Sequence, residues 1–171
     1  MEECFLKKGI AIGLGVFGVL IIAFAAFALT NNAGNAGNSQ PTGLAVLKES
    51  GQVIEGDFVK IPVSEISSNA KWFSYDSQGV KIKYLAVKGS DGSIRTAFDA
   101  CDVCFGAKKG YRQEGSFLVC NNCGKKFAID SIGVENKTPG GCWPGYLPST
   151  VSGSYLLIKK TDMESGKYRF A

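Results

Sequence analysis

Hydrophobic residues fall along this chain in two regimes. From Gly9 to Leu29 the run "GIAIGLGVFGVLIIAFAAFAL" is apolar and uncharged. Coiled as a helix at about 1.5 Å per residue, it matches the roughly 30 Å hydrocarbon core of a bilayer, so a transmembrane anchor is predicted over residues 1–29. From Leu44 onward the apolar positions alternate with polar ones instead. "QVIEGDFVKIPV" places Val53, Phe58, Val59 and Ile61 in strand rhythm until Pro62 interrupts it, and "VSEISS" reads as a short turn. Trp72, Phe73 and Tyr75 precede a turn at Asp76 to Gly79. Val80, Ile82, Tyr84 and Leu85 precede another at "GSDGS", which together predicts an antiparallel meander. "SFLVC", "KFAI", "SYLLIKK" and "KYRF" supply further strands. Helix signals are almost absent after residue 30, and the expected architecture is a small, mainly β domain over residues 44–171.

Between the two regimes lies "TNNAGNAGNSQPTG", residues 30–43, without charge or periodicity, which describes a flexible linker. Lys7 and Lys8 stand just before the apolar run and no Lys or Arg recurs until Lys48. Positive-inside bias therefore places the N-terminus in the cytoplasm and the β domain outside the membrane. A cleaved signal peptide is the alternative reading of "FAAFALTNNAG", but the apolar run exceeds the usual h-region of about 7–15 residues. Gly9 and Gly13 form a Gly-xxx-Gly pair, read as a chance match in so glycine-rich a helix. Cys4 is assigned no role.

Charge narrows the function. A net charge of +4 with only 20% charged residues does not supply the concentrated basic face that a nucleic acid requires. Histidine is absent, which removes the commonest general base, and "GSDGS" and "SGS" read as turns rather than phosphate cradles because neither opens a helix. No hydrolytic or group-transfer site is apparent. The aromatic set Trp72, Phe73 and Tyr75 reads as β core rather than an exposed recognition stripe.

The cysteines carry the chemistry. Cys101 and Cys104 form one Cys-x-x-Cys pair and Cys120 and Cys123 another, the second followed by Gly124. Each such turn aims two sulfurs at one point while its backbone N–H groups face the thiolates, so two of them compose a four-sulfur cage for zinc, a single iron or an iron–sulfur cluster. Cys142, in "TPGGCWPGYLP", is a fifth thiol that a structural zinc ribbon does not need; it is an additional ligand, a resolving thiol or a buried side chain. Two other readings of the set stay open. Disulfides are permitted outside the membrane, yet loops this short remove little chain entropy. A dithiol redox pair is compatible with either motif, although neither sits at a strand-to-helix junction of the thioredoxin kind. Lys108, Lys109, Arg112, Lys125 and Lys126 surround the pairs, either to offset thiolate charge or as an ordinary solvated loop.

The run "AFDACDVCFGAKKGYRQEGSFLVCNNCGKKF" followed by "GGCWPGYLP" resembles the FtrD-like family of membrane-associated iron–sulfur proteins, first catalogued as a domain of unknown function. The resemblance covers roughly residues 48 to 171 and is densest from Phe98 to Pro148. It implies a membrane-tethered extracytoplasmic domain whose metal-binding thiols are Cys101, Cys104, Cys120, Cys123 and Cys142, with Asp99, Asp102 and Gly110 inside the motif. It further implies an association with iron uptake systems, with an iron permease or a periplasmic redox protein as partner. Many family members have a larger membrane portion than one helix. The expected function is thus electron transfer or iron handling by an iron–sulfur protein rather than catalysis. The competing classes are a zinc-ribbon-like binding module and a thiol–disulfide redox protein.

Overall fold

A computed structural model of the chain describes residues 51–138 and 140–171. The predicted anchor, the linker and Cys4 lie outside these residues, and no helix among the described residues is long and apolar enough to cross a membrane. What is described is mainly β, in three antiparallel sheets.

The first sheet joins the two ends of the domain. The stretch read as one run in strand rhythm forms two of its strands, β1 (Val53–Glu55) and β2 (Phe58–Pro62), paired antiparallel. The three strands β3 (Lys71–Ser77), β4 (Val80–Lys88) and β5 (Ile94–Cys101) form the predicted meander in a second sheet. Its first hairpin turns at Gln78 and Gly79, whose φ values of 51° and 83° give the doubly left-handed turn that matches strand twist. A third, three-stranded sheet contains β6 (Tyr111–Glu114), β7 (Phe117–Cys120) and β8 (Lys126–Ala128). The chain then returns: β9 (Pro144–Tyr146) pairs with β5, while β10 (Thr150–Ser152) and β11 (Tyr155–Lys159) complete the first sheet against β2.

The second sheet is the middle layer of the core. Along β4, Ile82, Tyr84 and Ala86 join a cluster with Val59, Ile61, Leu156 and Ile158 of the first sheet. Leu85 and Val87 face the other way, into a cluster with Leu118, Cys120 and Phe127 of the third. Side chains alternate between the faces of a strand, so burial of four consecutive residues, Tyr84 to Val87, requires cover on both faces. Phe73 is buried and Trp72 and Tyr75 pack against the clusters, consistent with the core reading of that stripe. The buried Tyr84 hydroxyl donates to Gln52 Oε1, and Gln52 Nε2 donates to the Ser74 carbonyl at 2.5 Å, so this polar insertion is satisfied.

One end departs from the sequence expectation. "KYRF", expected as a strand, is a 3₁₀ turn over Lys167–Arg169, and it follows a short helix, α1 (Lys160–Ser165). Alternating aromatics here serve a different packing: Phe170 meets Phe98, and Tyr168 meets Phe105 edge-on. Gly166 lies between the helix and the turn, where an added Cβ would sit 2.1 Å from Phe98 Cζ. Phe98 is fully buried and cannot give way. Gly166→Ala is expected to cost about 1–3 kcal/mol by overpacking. Gly106→Ala, where a Cβ meets nothing within 4 Å, should stay within about 0.5 kcal/mol. Equal denaturation midpoints for the two variants would refute this account of the packing.

Candidate metal centre

The five thiols of the described residues come from strand ends and the turns beside them. Cys101 closes β5 and Cys120 closes β7, and both are buried. Cys104 precedes a 3₁₀ turn at Phe105–Ala107, which ends at Lys108 in the left-handed region (φ 54°). Cys123 lies in the turn after β7, tightened by Gly124 N–H to Cys120 O at 2.8 Å, with Gly124 at φ 72°. Only a residue tolerant of positive φ closes this turn without strain.

Two carboxylates tie these turns to β5. Asp99 accepts the Tyr111 N–H at 2.7 Å, and Gly110 lies so close that a Cβ would be 2.5 Å from Asp99 Oδ2. Gly110 O in turn accepts the Asn121 N–H at 3.0 Å, and Asn121 Nδ2 donates to Lys109 O at 2.9 Å, which registers the second turn on the segment after the first. Asp102 works in the other direction. Its N–H donates to Trp143 O at 2.9 Å, and its carboxylate accepts from Asn136 Nδ2 at 3.1 Å and Arg169 at 2.9 Å. Asn136 also donates to Gly141 O at 3.0 Å, so Cys142 is delivered by a loop that is clamped onto the first turn. Cys101 pairs across strands with Pro144, two residues beyond Cys142.

The sulfurs converge in two overlapping sets. Those of Cys101, Cys104 and Cys120 lie within 4.8 Å of one another, and so do those of Cys104, Cys123 and Cys142, with Cys104 common to both. A four-sulfur tetrahedron around an ion bound at about 2.3 Å has edges of about 3.8 Å, so small side-chain adjustments suffice to close on a metal. Residues 66–170 match the family described as "Membrane iron-sulfur containing protein FtrD-like". The chain belongs to the FtrD-like family. No curated protein matches it.

Within the FtrD-like domain the backbone does most of the electrostatic work. Burial acts to raise the Cys101 thiol, but the N–H groups of Cys104 and Val103, with Tyr111 and Cys142, overcome it and hold Cys101 below the usual thiol value. Burial wins at Cys120, pushed up to about 11 despite the N–H groups of Cys123 and Asn122. It wins again at Cys142, pushed up to about 12 by burial first and by the Cys101 sulfur next. Exposed Cys123 is lowered, chiefly by the Lys125 N–H. Such converging N–H donors suit a cation that replaces thiol protons. The Tyr111 hydroxyl fits the same purpose: it is buried without a partner in ordinary hydrogen-bond geometry, and burial first and the Cys101 sulfur next disfavour its ionisation, so it stays a donor.

The basic residues around the pairs divide. Arg112 and Lys126 form ion pairs with Glu114, and Lys125 lies over the Phe127 ring, so these three have other occupations. Lys108 and Lys109 remain beside the thiols, lining a cavity with Cys101, Cys104 and Cys120. The four cysteines singled out by spacing are thus brought together, and Cys142, left open by the sequence and named as a metal thiol through the resemblance, joins them. Sequence reasoning missed Tyr111, Asn136, Trp143 and Arg169; Tyr111 and Trp143 stand inside the two runs that carry the family resemblance, and no local pattern marks Asn136 or Arg169.

Exposure and thiolate character set an order of reactivity in metal-free protein. Cys123 is expected to be alkylated first and buried Cys101 and Cys120 last, with every site slowed once metal is supplied. Peptide mapping of timed alkylation checks the order, and early labelling of Cys101 would contradict the geometry.

Proposed function

We propose that the FtrD-like domain is a membrane-anchored, extracytoplasmic metal protein whose thiols hold an iron–sulfur centre. Its task is electron transfer or iron handling linked to iron uptake, with a permease or a periplasmic redox protein as partner. The observation that carries this reading is the convergence of Cys142 on the two Cys-x-x-Cys turns, a fifth sulfur beyond the needs of a structural ion. Thiolate-bound iron supplies a one-electron couple whose potential follows cluster charge, hydrogen bonds to sulfur and solvent exposure. The chain provides those controls. N–H groups of residues 103, 104, 122, 123 and 125 face the sulfurs, Tyr111 adds a buried hydroxyl, and Cys123 meets solvent.

The close sulfur spacing supports a second reading, a single iron or zinc ion held by four of the five thiols. Zinc has no redox couple, and the domain would then be a binding module. Purification of the full chain without oxygen, with visible spectrum, iron, zinc and acid-labile sulfide measured together, separates the two. Iron with sulfide and a bleachable band is the expected result; colourless protein with stoichiometric zinc would overturn electron transfer.

Tyr111→Phe tests the protein's control of the centre. Loss of an O–H donor disfavours the more negative, reduced state, so the potential should fall while metal content persists. Outer-shell losses of this kind cost about 10- to 100-fold in metal affinity, which competition with a chelator would measure. An unchanged potential and affinity would remove Tyr111 from the site.

A further inference from the structure

Beside the thiols is a cavity of about 150 Å³. At roughly 30 Å³ of liquid volume per water, that is room for about five waters or one small organic acid. Its cationic wall comprises Lys81, Lys83, Lys108, Lys109 and Arg169, set against one carboxylate, Asp99. The sulfur-bearing wall is Cys101, Cys104 and Cys120, and Phe105, Phe170 and Ala100 give it apolar surface.

The cations divide. Arg169 is held by Asp102, and Lys108 donates to the Phe170 carbonyl at 3.3 Å and to Ala171 O at 2.5 Å. Among the described residues, no salt bridge or hydrogen bond engages the ammonium groups of Lys81, Lys83 and Lys109. Lys81 and Lys83 alternate with buried Ile82 and Tyr84 on β4, so they occupy the same face as Leu85, the face toward the cysteine cluster. Strand period thus aligns two lysines with the mouth of the metal centre, where neither ammonium is held by an ion pair or hydrogen bond and Lys83 acts on the fold only through its charge on Asp99.

We infer that this cavity binds a small polycarboxylate against the Cys101, Cys104 and Cys120 side of the centre. Several cations converging on one small space select a multiply charged anion. The aromatic walls select one with a carbon skeleton, since a bare oxyanion would leave Phe105 and Phe170 uncovered. Carboxylate oxygens are also ligands for hard metal ions, so the bound molecule would place oxygen donors beside thiolate donors. The value of that arrangement for iron handling rests on the function proposed above; the binding itself does not.

Citrate is the probe, titrated calorimetrically into the full-length protein in detergent, with inorganic phosphate and glycerol as comparisons. One saturable citrate site per chain is expected. The double variant Lys81→Gln, Lys109→Gln loses two charge-assisted contacts and should bind about tenfold or more weakly. Its metal content, visible spectrum and melting temperature should match the parent, as should citrate binding by Lys137→Gln outside the cavity. Absence of saturable citrate binding, or equal affinity in the double variant, would overturn the site. Phosphate binding as tight as citrate would overturn the carboxylate assignment. Lysine-dependent citrate binding by protein that holds no metal would leave the pocket standing and remove the metal-centre reading, so the two fail separately.

Discussion

Asp99 and Asp102 stand on either side of Cys101, and the placement of three of the other four sulfurs runs through their hydrogen bonds. From Asp99 the line passes through the Tyr111 N–H and Gly110 to Asn121 and so to Cys120 and Cys123. From Asp102 it passes through Asn136 to Gly141 and Cys142, and through Arg169 to the C-terminal turn. Burial raises the Asp99 carboxyl, opposed by the Tyr111 N–H, a hydrogen bond from Trp72 and the charge of Lys83. Asp99 is half-buried at the cavity wall, and the Tyr111 N–H bond that favours its charged form is also the one that fixes the turn. Gly110 belongs to this constraint, because any side chain there would collide with the carboxylate.

A cluster of thiolates accumulates negative charge, and the domain counters it mainly with peptide dipoles. Backbone N–H groups in the two turns are fixed by φ and ψ and lose no side-chain entropy when they face a sulfur. Nearby lysines and arginines are therefore free of that duty: Arg112 and Lys126 pair with Glu114, and Lys81, Lys83 and Lys109 stay unpaired among the described residues. Electrostatic support of the centre and cationic lining of the adjacent cavity are separate devices built from different groups.

Strand period and cysteine spacing made much of this legible from sequence. Alternation along β2 to β5 locates strands whose buried faces agree with the apolar positions, and two Cys-x-x-Cys turns predict convergence because the local backbone enforces it. What stayed hidden depends on residues far apart in the chain. Arg169 reaches Asp102 across 67 positions and Asn136 reaches it across 34, and no local pattern marks a polar side chain as one end of such a pair. "KYRF" misled for a related reason. Its alternation satisfies a strand template, yet it pairs with no strand, and Phe170 and Tyr168 are instead spent on Phe98 and Phe105.

The sulfurs are unequal, and that inequality bears on how the centre is used. Cys101 and Cys120 are shut inside the third-sheet core with Leu118 and Phe127, where low dielectric strengthens each N–H contact and disfavours added charge. Cys123 is open to solvent, where a change in charge is screened. Cys104 belongs to both sets. A centre bound across them would have one side whose energetics are fixed by the fold and one side that a partner approaches, with the cavity touching the former through Cys101, Cys104 and Cys120. On the proposed function, exchange with another protein would proceed at Cys123, the exposed sulfur, while an anion held in the cavity would act on the buried side. Two such routes to one centre would reach it through different sulfurs, so neither would block the other.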